Sequence, residues 1–165
     1  REELVLEIVD SQKIVDDVLR EVADIIEAKG ATVSSGALPA IEASPTLLRV
    51  VLQNLIGNAL KFQDGSRAPE IQVTARRAGT RGAHMWRLGG KDNGMGIDTK
   101  FSERVFLLFQ RLHDRETYDG IGVGLTLSRK IVERHGGRIW YESQPGKGTT
   151  FFFTLPAIAQ HRMAA

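Results

Sequence analysis

The stretch Val50–Asp64, VVLQNLIGNALKFQD, has the pattern of an amphipathic helix with polar groups along one edge of its apolar face. At about 100° per residue, Asn54, Asn58 and Lys61 fall within a narrow arc. An apolar stripe lies roughly a quarter-turn away and consists of Leu48, Val51, Leu52, Leu55, Ala59 and Phe62. Half-buried carboxamides need hydrogen-bond or ligand partners. The stretch is therefore either a surface helix with two ordinary Asn residues or one wall of a metal–phosphate site.

The composition is that of an ordinary soluble domain and excludes several classes of function. The 22 basic and 20 acidic residues leave a net charge of +2, too small to predict a nucleic-acid surface. There is no cysteine, which excludes disulfides and thiolate zinc sites. No apolar run approaches the length of a membrane span, and the N-terminus is not a signal peptide. Because the first residue is Arg, we expect a piece of a longer protein. The four His residues lack metal-ligand spacing; they are His84, His113, His135 and His161.

Apolar periodicity and turn residues predict an alternation of strands and helices. Strands are predicted at Leu4–Val9, Ala31–Ser35, Leu38–Ala43, Glu70–Arg76, His84–Leu88, Arg138–Ser143 and Thr149–Leu155. Helices are predicted from Ser11 to Lys29, from Pro45 to about Asp64, and from Leu125 to Gly136. The second and third strands read as a hairpin-like pair around Gly36. Strand pairs between helices predict an α+β layered domain and not an alternating parallel one.

Two glycine-rich segments could approach a ligand. In GGKDNGMGID, residues 89–98, Gly90, Gly94 and Gly96 follow one another closely around Asp92, so the backbone there can approach a flat ligand. In GIGVGL, residues 120–125, three glycines precede a helix, where free N–H groups and the helix dipole favour an anion. Neither this run nor GKGTT at Gly146 has the spacing of a dinucleotide fingerprint or a P-loop.

The motifs NLIGNALKF, DNGMGI, FLLFQR, GIGVGL and GKGTTF follow one another in this order. Together they resemble the ATP-binding catalytic domain of sensor histidine kinases, in the group shared with gyrase, the Hsp90 chaperones and MutL. The resemblance covers about residues 4–156 and implies one domain, 1–156, followed by a C-terminal tail, 157–165. The implied fold is the Bergerat ATP-binding fold, a two-layer α+β sandwich whose mixed, mostly antiparallel sheet is covered on one face by three helices. The run FQRLHDRETYDGIGVGL is similar to kinases that follow phytochrome or PAS sensors.

The resemblance implies that the domain binds ATP with Mg²⁺. Asn58 is then the metal ligand, with Asn54 supporting the metal's water shell. Lys61 and Arg111 face the phosphates and form the expected catalytic set with Asn58, and Asp92 accepts a hydrogen bond from the adenine amine. The other expected nucleotide-site residues near the base are Gly94, Gly96, Ile97, Thr149 and Thr150. A mobile lid is expected from about Thr99 to Gly120, anchored by Phe109. The glycine run that follows it is expected near the phosphates as the hinge of the lid and comprises Gly120, Gly122, Val123, Gly124 and Leu125.

The implied function is to transfer the γ-phosphate of Mg-ATP to a His on a separate dimerisation domain of the same, dimeric, protein. A response regulator acts downstream, and we expect a cytoplasmic location with no nucleic-acid or membrane contact. None of the four His residues lies in a His-Glu-Leu-Arg context, so the phosphoacceptor helices are expected before Arg1.

Two alternatives stay open at this point. One is a non-catalytic ATP-sensing module, supported by Val50, where such kinases usually carry Gln or Glu, and by the Gly89-Gly90 pair in the strand that leads to Asp92. The other is a gyrase- or chaperone-like ATPase, which the short length and Asn54, in place of a Glu base, argue against.

Overall fold

The structure is a computed structural model that describes residues 3–79, 84–98 and 121–157. Within these ranges the elements are β1 (Glu7–Asp10), α1 (Ser11–Glu21), α2 (Ala23–Lys29), β2 (Thr32–Ser35), β3 (Ala40–Ala43), α3 (Pro45–Lys61), β4 (Glu70–Ala78), β5 (Met85–Asp92), α4 (Ile121–Arg134), β6 (Ile139–Gln144) and β7 (Gly148–Pro156). A five-stranded sheet has the order β2-β4-β5-β7-β6, and β1 pairs with β3 in a small separate sheet. Only the β2–β4 pair is parallel among these described strands. The predicted α+β fold with a mixed, mostly antiparallel sheet is confirmed. No helix of the described ranges is long and apolar enough to cross a bilayer.

The predicted hairpin around Gly36 is wrong. β2 runs parallel to β4, with Thr32 beside Glu70, whereas β3 runs antiparallel to β1, with Ile41 beside Val9. The N–H of Gly36 donates to the carbonyl of Val73 at 3.0 Å, which carries the chain onward along β4 instead of turning it back. Long-range pairing therefore overrides the local turn signal.

The helix predicted from Ser11 to Lys29 is divided into α1 and α2 at Val22, whose φ of −105° and ψ of 15° leave helical geometry. The apolar spacing continues across this break, which is why the sequence predicts one helix. The expected three helices are therefore four in the described part of the chain. Gly30, at φ 63°, ends α2 as predicted.

The central helix α3 begins where the sequence predicts. The side chain of Ser44 accepts a hydrogen bond from the N–H of Leu47 at 3.4 Å, and Pro45 occupies the first turn. The buried residues of α3 are Leu48, Val51, Leu52, Leu55, Ile56, Ala59 and Leu60. They join one core with sheet residues such as Ile71 and Phe153. This packing leaves Asn54 and Asn58 along the edge of the helix.

Strand β5 continues past its predicted end at Leu88 and reaches Asp92 without interruption. Gly89 pairs with Thr74 of β4, and Gly90 pairs with Val73; both glycines also pair with β7. The glycine pair therefore does not break the strand that positions Asp92.

Candidate functional site

A small cavity of about 20 Å³ lies between the end of α3 and the ends of β5 and β7. It is lined by Asn58, Phe62, Asp92, Gly96, Ile97, Thr149 and Phe151. Side chains from α3, β5 and β7 and the loop after β5 therefore meet at one point. The predicted site residues among them are Asn58, Asp92, Gly96, Ile97 and Thr149.

Asp92 presents a carboxylate at the end of β5. Its Oδ1 atom accepts hydrogen bonds from the backbone N–H groups of Gly94 at 2.8 Å and Thr149 at 3.2 Å. Burial raises the pKa of the Asp92 carboxyl above its ordinary value, and these two hydrogen bonds oppose the rise. Both bonds use Oδ1, so Oδ2 remains able to accept a hydrogen bond from a group in the cavity.

The glycines around Asp92 allow close backbone packing. A Cβ atom on Gly94 would lie 2.5 Å from the carbonyl oxygen of Phe62, and one on Gly96 (φ +77°) would lie 2.4 Å from that of Gln144. A Cβ atom on Gly148 (φ +132°) would lie 2.0 Å from the carbonyl oxygen of Asp92 itself. These glycines therefore fix the cavity walls against one another. Motif spacing predicted Gly94 and Gly96 as site residues but not Gly148.

Two further residues that the sequence analysis missed hold the loop after β5. The Oγ atom of Ser143 accepts from the N–H of Ile97 at 2.8 Å and donates to the carbonyl of Gly148 at 3.1 Å. Arg67 donates from Nε to the carbonyl of Asn93 at 2.8 Å and from Nη2 to that of Gly146 at 2.9 Å. Ser143 and Arg67 each connect segments that are far apart in sequence, so no local sequence pattern predicts their roles.

The side chain of Asn54 is hydrogen-bonded to α4. Its Nδ2 atom lies 3.1 Å from the carbonyl oxygen of Gly124 and 3.1 Å from the Oγ atom of Ser128, and it donates to both. Only Oδ1 is then left for the water shell that the resemblance assigns to this residue.

The amide nitrogen of Asn58, in contrast, is not hydrogen-bonded to a neighbouring element that the structure describes. This Nδ2 atom is buried and has no hydrogen-bond partner among the described residues. An unsatisfied buried donor of this kind costs about 1–3 kcal/mol. The cost indicates a group that is retained for a ligand. Lys61, at the end of the same helix, is exposed, and its Nζ atom lies 5.4 Å from the centroid of the Phe62 ring.

The remaining predicted residues fall into two groups. Gly122 and Gly124 lie inside the first turn of α4, which begins at Ile121, so the prediction that they precede the helix is wrong. Leu125 is fully buried in the core. Thr150 follows Thr149 on β7 and so faces the other side of the sheet, away from the cavity. Phe109, Arg111, Gly120, the side chain of Val123 and the predicted lid lie outside the described residues.

The metal expectation can be tested against the available donors. In the part of the chain that the structure describes, no three His, Asp or Glu side chains are grouped to hold a metal ion. Mg²⁺ bound with a nucleotide needs few protein ligands, because phosphate oxygens and water complete its octahedron. The two ends of a carboxamide are nearly indistinguishable in shape. Rotation of the Asn58 amide by half a turn therefore puts Oδ1, an oxygen ligand, at the buried position of Nδ2. The residues present therefore fit Mg²⁺.

An α+β domain with Asn58 and Asp92 at one cavity is the arrangement that the sequence motifs predict for an ATP-binding catalytic domain. The chain belongs to the family described as Histidine kinase-, DNA gyrase B-, and HSP90-like ATPase, whose profile matches residues 43–159. This profile, together with relatives named as a regulatory histidine kinase, a sensory kinase and a sensor histidine kinase, confirms the resemblance to sensor histidine kinases.

Individual comparisons agree with this membership. The chain is 44% identical over 147 residues to the phytochrome-like protein Cph1 of Synechocystis sp., which covers 89% of this chain and 19% of that protein. The catalytic domain of histidine kinase ThkA matches with a TM-score of 0.76 at 24% identity, covering 94% of this chain and 97% of that one. Full-length ShkA, in complex with AMPPNP, matches with a TM-score of 0.77 at 28% identity, covering 96% and 32%. The chain thus spans about a fifth of the phytochrome relative.

Proposed function

We propose that this chain binds Mg-ATP and transfers the γ-phosphate to a His on a separate dimerisation domain, with a response regulator downstream, in the cytoplasm. The observation that carries the proposal is the shared cavity of Asn58 and Asp92. It joins the buried Nδ2 atom of Asn58, which has no partner among the described residues, to a carboxylate with one oxygen still available. Family membership and the AMPPNP complex of ShkA support a nucleotide as the occupant.

At the base end of the site, Asp92 selects adenine. Its Oδ2 atom accepts a hydrogen bond from the exocyclic amine of adenine, whereas guanine presents a carbonyl oxygen at the equivalent position. Two acceptors then face each other, and a lost charge-assisted hydrogen bond costs about 1.5–3 kcal/mol. Ile97 and Phe62 supply apolar surface beside the base.

At the phosphate end, Asn58 holds the metal, and Lys61 and Arg111 supply positive charge. Mg²⁺, when bound, offsets the negative charge of the phosphate oxygens. The contribution of the protein is positioning and electrostatic stabilisation and not covalent chemistry.

The choice of transfer over hydrolysis rests on Asn54. A carboxamide cannot take a proton from water, and the donors of this one are used on Gly124 and Ser128. The group's ATPases, by the resemblance, use a Glu base at this place. The non-catalytic alternative loses one of its two supports, because Gly89 and Gly90 leave β5 continuous.

Titration calorimetry with ATP and GTP, each with and without Mg²⁺, tests the proposal. We expect ATP to bind with Mg²⁺, much more weakly with excess chelator, and at least about tenfold more tightly than GTP. Asn58→Ala should remove the Mg²⁺ dependence. Equal affinities for ATP and GTP, or binding that chelation leaves unchanged, would contradict the assignments of Asp92 and Asn58.

A further inference from the structure

The face of the large sheet that no described helix covers carries arginines and aromatic rings. Side chains alternate between faces along each strand, and the helices cover the face that bears Val73, Leu88 and Phe153. The opposite face therefore bears Arg76 of β4, Arg87 of β5, Phe152 of β7 and Trp140 of β6, with Arg138 directly before β6. We call these five residues the Arg–aromatic face.

The rings and guanidinium groups of this face form one connected row. The Trp140 and Phe152 rings stack with centroids 5.5 Å apart and an interplanar angle of 27°. The Cζ atom of Arg87 lies 4.8 Å from the Phe152 centroid, and that of Arg138 lies 4.7 Å from the Trp140 centroid. Such cation–π contacts hold each guanidinium in place and leave its N–H edge available.

Among the described residues, basic side chains outnumber acidic ones on this face. The exposed carboxylate of Glu142 shares it, two residues after Trp140 on β6, and Glu70 lies on it at the start of β4. None of the Arg76, Arg87 and Arg138 side chains forms a salt bridge or hydrogen bond with another described residue. Arg76 and Arg87 are direct cross-strand partners, and like charges directly opposite one another are destabilising. Stability of the domain therefore does not explain the arrangement.

Positive charge continues toward the other edge of the same sheet. A polar cleft of about 380 Å³ is lined by Thr32, Ser34, Glu70, Ile71, Gln72, Lys91, Asp92, Asn93 and Lys147. Glu70 is the one fully exposed carboxylate among these lining residues, and Lys91 and Lys147 both carry exposed ammonium groups.

We propose that the Arg–aromatic face is a docking surface for an acidic segment of a partner protein. Guanidinium groups pair with carboxylates through two parallel N–H···O bonds, and apolar side chains between the carboxylates would pack on Trp140 and Phe152. A single-stranded nucleic acid fits less well, since Arg87 and Arg138 occupy the ring faces on which bases would stack. The proposal is independent of the ATP site, which opens on the helix side of the sheet.

A synthetic peptide of Glu-Glu-Leu repeats is the probe, and a Gln-Gln-Leu peptide and oligothymidylate of equal length are the controls. The chain has two Trp residues, so Trp86→Phe leaves Trp140 as the only fluorescent indole. We expect saturable quenching by the Glu peptide that weakens as salt rises. The double variant Arg87→Gln/Arg138→Gln should weaken binding at least tenfold, and Arg87→Lys/Arg138→Lys should retain part of it.

The matched control is Arg77→Gln. Arg77 has the same kind of contact, with Cζ 5.0 Å from the Trp86 ring, but it belongs to the opposite face of β4. It should leave peptide affinity unchanged, and neither set of variants should alter ATP affinity. No binding of the Glu peptide, equal binding by the double Gln variant, or tighter binding of oligothymidylate would each overturn the proposal.

Discussion

The Nε2 atom of His135 accepts a hydrogen bond from the backbone N–H of Ser44 at 3.0 Å. The Nδ1 atom of the same ring lies 2.8 Å from the carbonyl oxygen of Ile131, to which it can donate only if it carries the proton. The buried imidazole ring thus joins the residue after α4 to the residue that caps α3. Near the start of α4, the carbonyl of Gly124 accepts a hydrogen bond from Asn54, which lies in the middle of α3. The helix that carries Asn58 is held to α4 at two points.

His135→Phe should lower the free energy of unfolding by about 1–3 kcal/mol, because it keeps a ring in the core but leaves the N–H of Ser44 without its acceptor. Urea denaturation measures the change. His84→Phe is the control, since His84 is exposed and should change stability little. Equal effects of the two substitutions would mean that the Ser44 bond contributes nothing.

Asn54→Ala and Asn58→Ala should separate stability from ligand binding. Loss of the Asn54 amide removes two hydrogen bonds to α4, which we expect to cost about 1–3 kcal/mol of unfolding free energy. Loss of the Asn58 amide removes a buried nitrogen that has no partner among the described residues, so stability should be unchanged or slightly higher while Mg²⁺-dependent ATP binding disappears. Denaturation and calorimetry on both variants give the comparison. A marked loss of stability in Asn58→Ala would show that the residue is structural.

Asp92 should impose a pH dependence on stability. Its pKa is raised in the folded state, chiefly by burial, so the folded protein holds the proton more tightly than the unfolded chain does. The resulting stabilisation is present below the unfolded pKa, about 3.9, and is lost as pH rises through the folded pKa. Asp92→Asn has no such proton to lose. The unfolding free energy of the variant relative to wild type should therefore increase as pH rises from the unfolded to the folded pKa of Asp92.

Adenine binding by the wild type should weaken as pH drops through the same range, because a protonated carboxyl group is a poor hydrogen-bond acceptor. Parallel curves of unfolding free energy against pH for wild type and Asp92→Asn would contradict the raised pKa of Asp92.

Gly90→Ala and Gly148→Ala should have opposite effects. A Cβ atom at Gly90 meets nothing within 4 Å, beside a small apolar cavity under α3 lined by Leu52 and Leu55. The substitution should raise unfolding free energy by about 0.5–1 kcal/mol. At Gly148, φ is +132° and the added atom would lie 2.0 Å from the Asp92 carbonyl. That variant should lose stability and bind ATP more weakly. Equal thermal midpoints for the two variants would refute this account of the glycines.

The sequence predicted the elements whose signals are local. Ser44-Pro45 marked the start of α3, and motif spacing selected Asn58 and Asp92, which the fold brings to one cavity. The true partners of β2 and β3, which are β4 and β1, were not predicted because these pairs join strands far apart in the chain. Ser143 and Arg67 were missed for the same reason, since each is defined by the segments that it bridges. The roles of Lys61, Arg111 and the lid stay predictions.

Phosphotransfer to a second protein tests the central claim most directly. The chain would be incubated with Mg²⁺ and γ-labelled ATP, alone and with a separately produced His-containing dimerisation domain of a sensor histidine kinase. We predict acid-labile, base-stable label on that partner and none on this chain, because His113 belongs to the segment expected to form a lid over ATP, and a lid residue cannot easily reach in-line geometry on the nucleotide that it covers. The rate should fall with Asn58→Ala and with Lys61→Ala. Label on His113 of the isolated chain, or an unlabelled partner in the presence of bound ATP, would contradict the account.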